Sequence, residues 1–369
     1  MSTVGGERVE RLAVLVAERE LDQLLVGDLV RPGDSDRAGM ANLRYLTGFT
    51  GTSGLALVGR DSALFFTDFR YSERAAREVP DAFERMPAEV RLLPSVAERM
   101  SGRVGYDDAN TSVRTLRRLE ELAPDGAELV AAGGLVEKLR RSKEPGELEA
   151  IAEAQRLTDE VYGWIVERGL VGRTEREVAL AAERRMLELG AEGPSFPAIV
   201  AAGENGALPH AEAGEREIST GELVVVDMGA IVDGYCSDCT RTFATGELDT
   251  DAREVYELVL EAQQAGLAAV RAGVDGKAVD GVAREVIATA GHGDEFGHGL
   301  GHGVGVEVHE SPRLAKTSED ELVAGDVVTV EPGVYVSGRF GIRIEDLVSV
   351  TDDGCRNLAG RPKELQVVG

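Results

Sequence analysis

Phe-Gly-His-Gly-Leu-Gly-His-Gly-Val-Gly, residues 296–305, runs on through His309 and Glu310 into two apolar segments that each end in an acid. These are Val-Val-Thr-Val-Glu-Pro-Gly at 327–333 and Gly-Ile-Arg-Ile-Glu-Asp at 341–346. Of the five histidines in the chain, four (His292, His298, His302 and His309) fall within eighteen residues. Glycine occupies every odd position from 297 to 305. An extended strand there would set His298 and His302 on one face and leave the other open to close backbone approach. Neutral imidazole and carboxylate are ligands for divalent transition ions. An ionised carboxylate at the end of an apolar strand is costly to bury without such a partner. The stretch therefore reads as half of a metal site.

The other half lies upstream. Leu-Val-Val-Val-Asp-Met-Gly (223–229) again ends an apolar strand in an acid just before glycine, and Asp238 follows in the return strand after the Asp233-Gly234 turn. Asp227 and Glu331 thus occupy equivalent positions, as do Asp238 and Glu345, and two such halves facing each other would converge four carboxylates on one point. Four negative charges balance two divalent cations. Arg343 shares the parity of Glu345 and is expected to point at the site, whereas His309 has the opposite parity and is not placed by spacing. Any one of these residues is adequately read as a turn cap or a satisfied core histidine. Recurrence of the same strand–acid–glycine device argues against that reading for the set.

Working outward, 369 residues favour two domains. Residues 1–130 read as a small α/β domain: a helix at 7–19, a strand at Leu24-Leu25-Val26, a loop at 31–39, two apolar runs suggesting sheet at 54–58 and 63–70, a helix at 71–78, a strand at 104–106 and a helix at 111–122. Residues 131–142 are expected to be a linker. Residues 143–369 form the second domain, opened by a helix with Pro145 in its first turn. A capping box at Thr174 and Glu177 starts a helix that stops at Gly190. A strand-like stretch at 196–202 precedes His210 on a loop, and helices are expected near 250–271 and 276–289. The fold class is α/β, of the α+β kind.

Net charge is −26, from 66 acids against 40 bases, with only five lysines. Phosphate binding needs a basic stripe, so nucleic acid is not an expected partner. Self-repulsion of this size is best screened in strong salt, which suggests a halophilic host and activity rising towards molar salt; the alternative is an ordinary acidic protein from a GC-rich genome. No run of eighteen apolar residues or secretory leader is visible, so neither a membrane span nor export is expected, and the location expected is cytoplasmic. Cys236 and Cys239 form a C-x-x-C on a strand, where positions three apart face opposite ways; redox or zinc chemistry is not expected of them.

With these residues assembled, the chain resembles the pita-bread metallopeptidases along its whole length, in their Xaa-Pro dipeptidase (prolidase) and Xaa-Pro aminopeptidase branch. Residues 42–51 and 67–71 resemble that family's creatinase-like N-terminal domain, and 139–148 the start of its catalytic domain. The motifs around Asp227, Asp238, His298 to His309, Glu331 and Arg343-Ile-Glu345-Asp carry the rest. The resemblance implies a creatinase-like domain over 1–130 and a pita-bread catalytic domain with a pseudo-twofold repeat over 143–369. It implies two divalent ions, manganese first and cobalt or zinc as alternatives. Asp227 would bind one ion, His302 and Glu331 the other, and Asp238 and Glu345 would bridge, with a hydroxide between the ions attacking the scissile carbonyl. Glu331 would handle the proton, His298 and His309 would contact substrate and stabilise the tetrahedral intermediate, and His210 would line the proline side. The implied substrate is a proline-containing peptide and the implied assembly a homodimer. A dipeptidase needs a cation for the product carboxylate, for which Arg313 and Arg339 are candidates and Arg313 is favoured; Arg343 is a further substrate-side cation. The alternatives are an aminopeptidase P acting on longer peptides, a methionine-aminopeptidase-like hydrolase and a non-catalytic binding protein on the same fold.

Overall fold

Leu24, Leu25 and Val26 are buried in the Gln23–Gly27 strand, an inner strand of a six-stranded sheet. The computed structural model describes residues 2–30 and 40–369, so the loop expected at 31–39 lies outside the described residues. The chain divides into two compact units, Met1–Arg140 and Arg141–Gly369. In the first, Gln23–Gly27 pairs antiparallel with Leu55–Gly59 and parallel with Gly102–Tyr106. Ala63–Thr67 and Glu84–Pro87 extend one side of the sheet, and Ala127–Ala131 the other. Helices Ser2–Glu18, Ser72–Glu78 and Val113–Leu122 occur where the apolar spacing expects them. Residues 131–142 are not an irregular connector throughout. They contain the helix Leu135–Arg141, whose Leu135, Val136 and Leu139 are buried; this helical apolar spacing prevails just after the Gly133-Gly134 pair.

The second unit repeats one order of elements. Helices Pro145–Arg168 and Glu175–Glu188 precede the strands Ile199–Ala202, Leu223–Met228 and Cys239–Ala244. Helices Thr250–Ala269 and Gly276–Thr289 then precede Gly301–Gly303, Val327–Val330 and Asp346–Val350. In each half the middle strand of the three pairs antiparallel with both others. The helix starts follow local chemistry: the Glu147 carboxylate accepts the Glu144 N–H at 2.8 Å, and Thr174 and Glu177 cap each other reciprocally.

Each half also contains a hairpin that bends partway along. Leu223–Met228 continues beyond Gly229 as Ala230–Val232, paired with Tyr235–Cys236. Val327–Val330 continues beyond Pro332 as Gly333–Val336, paired with Phe340–Arg343. Asp227, Asp238, Glu331 and Glu345 all sit at or beside these bends. The halves share a small core of Ile151, Cys236, Val304, Val327 and Leu347. A buried ion pair lies next to it: Arg241 meets Asp346 at 2.9 Å, and Asp346 also accepts from Lys363, Gln263 and Asn357. So many donors offset the cost of burying that carboxylate. None of the three cysteines is in a disulfide, and the Cys236 and Cys239 thiols point to the Val306 and Glu345 carbonyls respectively. Among the described residues no helix is long and apolar enough to cross a membrane.

Candidate active site

The bends bring the four acids to one cavity of about 840 Å³, lined also by His210, His298, His302, His309, Arg313 and Arg343. Its apolar wall includes Leu180, Phe196, Ile199 and Val308. All the residues singled out for the site therefore meet, except two. His292 caps a short turn and pairs with Glu295 at 2.5 Å. Arg339 is held by Asp249 and Asp251 and does not line this cavity.

His302 fixes the centre. Its Nδ1 lies 3.1 Å from the Gly303 carbonyl oxygen, which can only accept, so Nδ1 carries a proton. Nε2 then faces Glu331 Oε1 at 3.2 Å and Asp238 Oδ2 at 3.5 Å. A lone pair turned on two carboxylate oxygens is repelled unless a proton or a cation lies between them. Ligand atoms of Asp238, His302 and Glu345 come within 4.8 Å of one another, and all three residues are buried. Asp227 Oδ1 and Glu345 Oε1 are buried without a hydrogen-bond partner, which is costly for ionised oxygens.

The titration behaviour points the same way. Burial, reinforced by the neighbouring carboxylates, pushes Asp238 and Glu345 well above the usual carboxylate range. Burial also raises Asp227, with Arg343 opposing it. For Glu331 burial acts upward too, but a proton placed between it and His302 Nε2, one of the two ways of relieving that repulsion, would prevail and hold the group down to about 2. Three of the four acids thus resist ionisation as the side chains stand, and positive charge at the centre would relieve them. Four oxygen donors and one imidazole, two of the oxygens orphaned, fit divalent cations.

Arg343 enters from the Phe340–Arg343 strand and is buried. Its guanidinium donates to Asp227 Oδ2 at 2.6 Å, Thr240 Oγ1 at 2.9 Å, Tyr335 Oη at 2.8 Å and the Pro209 carbonyl at 3.2 Å. Thr240 in turn donates to Glu345 Oε2 at 2.7 Å, and Thr329 to Glu331 Oε1 at 3.1 Å. These hydroxyls fix which carboxylate oxygens remain free for a cation. Thr240, Thr329 and Tyr335 were not anticipated from sequence. Thr240 shares the parity of Asp238, and Tyr335 that of Glu331, so the strand period contained the signal.

His298 and His302 do not share one strand, as the glycine alternation suggested. Only Gly301–Gly303 is a strand; residues 296–300 are irregular because side chains from Gly276–Thr289 take up their backbone groups. The His298 ring still reaches the cavity. Its Nδ1 donates to the Gly299 carbonyl at 2.7 Å, which leaves Nε2 to accept from Tyr335 Oη at 3.0 Å. Burial lowers the His298 pKa. His309, the residue that spacing did not place, lies exposed with its ring 4.4 Å from that of His302. Partial burial and His302 bring its pKa down to about 4, so both rings are neutral near pH 7. His210 and Arg313 are exposed residues of the cavity lining.

Comparison with known proteins agrees with this geometry. Residues 149–352 match metallopeptidase family M24, and residues 8–142 the creatinase/prolidase N-terminal domain. A Xaa-Pro dipeptidase of Pyrococcus furiosus is 33% identical over 97% of this chain and 99% of its own. The solved Xaa-Pro dipeptidase from Bacillus anthracis superposes with a TM-score of 0.92 at 36% identity, covering 99% of this chain and 100% of that one. The X-Pro aminopeptidase from Thermotoga maritima gives 0.85 at 34% identity, over 95% of this chain and 99% of that one.

Proposed function

We propose, from the premise that this chain belongs to metallopeptidase family M24, that it is a metal-dependent Xaa-Pro dipeptidase, hydrolysing the bond between an N-terminal residue and proline. The observation carrying this reading is the convergence of Asp227, Asp238, His302, Glu331 and Glu345, two of whose oxygens are buried and unpartnered. These five residues would hold two divalent cations, manganese by preference, which when bound polarise the scissile carbonyl and allow nucleophilic attack at neutral pH.

The chain's own groups do the rest. Glu331, whose Oε1 lines the cavity beside His302, accepts the nucleophile's proton and returns it to the departing proline nitrogen. His309, neutral near pH 7, offers a hydrogen-bonding partner for charge developing at the substrate carbonyl, and His298, whose two nitrogens are engaged by Gly299 and Tyr335, presents its ring to the substrate. Arg343 orients Asp227 and, with His210, borders the proline side. Arg313, exposed at the cavity lining, meets the free carboxylate of a dipeptide.

The second reading, an aminopeptidase acting on longer peptides, is favoured by that same exposure of Arg313, which leaves room for the chain to continue. A homodimer and a cytoplasmic location complete the proposal; three cysteines outside any disulfide suit a reducing compartment. The acid excess suits a salt-rich one and gives no reason to expect a nucleic-acid partner. Steady-state hydrolysis of Xaa-Pro and of Xaa-Pro-Yaa-Zaa by manganese-loaded protein tests the reading. Preference for the dipeptide is expected, preference for the longer peptide transfers the chain to the second reading, and cleavage of neither overturns both.

A further inference from the structure

The irregular run 296–300 carries His298 between two glycines, Gly297 and Gly299, a composition that leaves the backbone free to wander. Its last carbonyl, that of Leu300, accepts the Glu331 N–H at 2.8 Å. Ahead of that bond it is tied to the Gly276–Thr289 helix through one pair of residues a turn apart, Asp280 and Arg284. Arg284 donates Nε and Nη2 to the two Asp280 carboxylate oxygens at 2.8 and 2.7 Å. Its remaining reach goes to the loop: Nη1 to the Phe296 carbonyl at 2.8 Å and Nη2 to the His298 carbonyl at 2.7 Å. Asp280 Oδ1 accepts the Leu300 N–H at 3.0 Å. The guanidinium also lies 4.1 Å from the Phe296 ring centroid, and the Phe296 ring packs edge-on against that of His298 at 5.2 Å.

An ordinary surface pair at this helical spacing is exposed and contributes little. Here the Asp280 side chain is 1% exposed and that of Arg284 13%, and the planar fork of arginine meets a carboxylate on one edge and two carbonyls on the other. We propose that Asp280 and Arg284 are positioning residues for the peptidase reaction: they clamp residues 296–300 so that the His298 ring keeps one orientation, with Nδ1 on the Gly299 carbonyl and Nε2 on Tyr335. Neither touches substrate. Their effect passes through His298, so the inference rests on the role proposed above for that ring.

A double-mutant cycle with Arg284→Met and His298→Ala in manganese-loaded protein tests this, read together with the imidazole nitrogen NMR signals of zinc-loaded, diamagnetic protein. Methionine keeps much of the stem and removes the fork. With bound metal and melting temperature held close to wild type, Arg284→Met is expected to lower kcat on the preferred peptide by about tenfold to a hundredfold, the scale of a misplaced catalytic group. In the His298→Ala background it should cost almost nothing further. The His298 signals, assigned by their loss in His298→Ala, should change from a single Nδ1–H tautomer to an average of two. If Arg284→Met does not fold, Asp280→Asn enters the same cycle. Costs that multiply independently, or a His298 tautomer untouched by either clamp variant, overturn the proposal. The NMR arm needs no substrate, so it stands even if the peptide specificity proposed above fails.

Discussion

Arg343 and Arg313 mark what a single residue can and cannot disclose. The parity of Arg343 with Glu345 pointed it at the site, and it is bonded there to Asp227, Thr240 and Tyr335. The same period would have found Thr240 and Tyr335, since each stands an even number of positions from an acid already singled out. Asp280 and Arg284 were beyond that reasoning. In a chain with 66 acids, a carboxylate four residues from an arginine is commonplace, and only burial distinguishes this pair. Arg313, favoured over Arg339 in the sequence, differs from it in its contacts, because Asp249 and Asp251 engage Arg339 while Arg313 stays at the cavity. Replacing Arg313 by methionine is expected to raise KM for Xaa-Pro about tenfold, the worth of one charge-assisted hydrogen bond. Steady-state kinetics should find KM for a tetrapeptide nearly unchanged. An equal rise for both substrates would remove Arg313 as the carboxylate's partner.

At the scale of elements, the bent hairpins decide where the acids go. Apolar runs ending in an acid before glycine or proline-glycine were visible twice in the sequence, and each became a strand that leaves one sheet for another at that point. The glycine alternation was misread in part. Gly301 and Gly303 lie in the strand, where a Cβ on Gly301 would run into the Thr329 carbonyl oxygen and one on Gly303 into the Ser311 carbonyl. A Cβ on Gly297 would meet nothing. Periodicity could not tell these roles apart, because the helix that claims the backbone of 296–300 lies earlier in the chain and acts through side chains. Gly301→Ala is therefore expected to cost about 1–3 kcal/mol of stability by overpacking beside His302. Gly297→Ala should stay within about 0.5 kcal/mol. Urea unfolding of the two variants measures both, and equal costs would contradict this division of the glycines.

For the whole molecule, the fold class and the two-part order were legible because composition, strand punctuation and helix caps agree locally with the final structure. What was not legible, a helix at Leu135–Arg141 where a linker was expected and the side-chain clamp on 296–300, depends on burial that no local pattern reports. The repeat gives the acids their meaning. Each half contributes two carboxylates at its bend, and their sum is charge that the interior cannot hold unaided. A net charge of −26 makes it harder still, since the surrounding field also disfavours further negative charge. Equilibrium dialysis against manganese in molar salt, followed by elemental analysis of the wild type and of Asp238→Asn, addresses this point directly. Two ions per chain in the wild type and fewer than one in the folded variant are the expected result. A wild type that binds none, or a variant that retains both, would contradict the claim that these carboxylates are gathered around divalent cations.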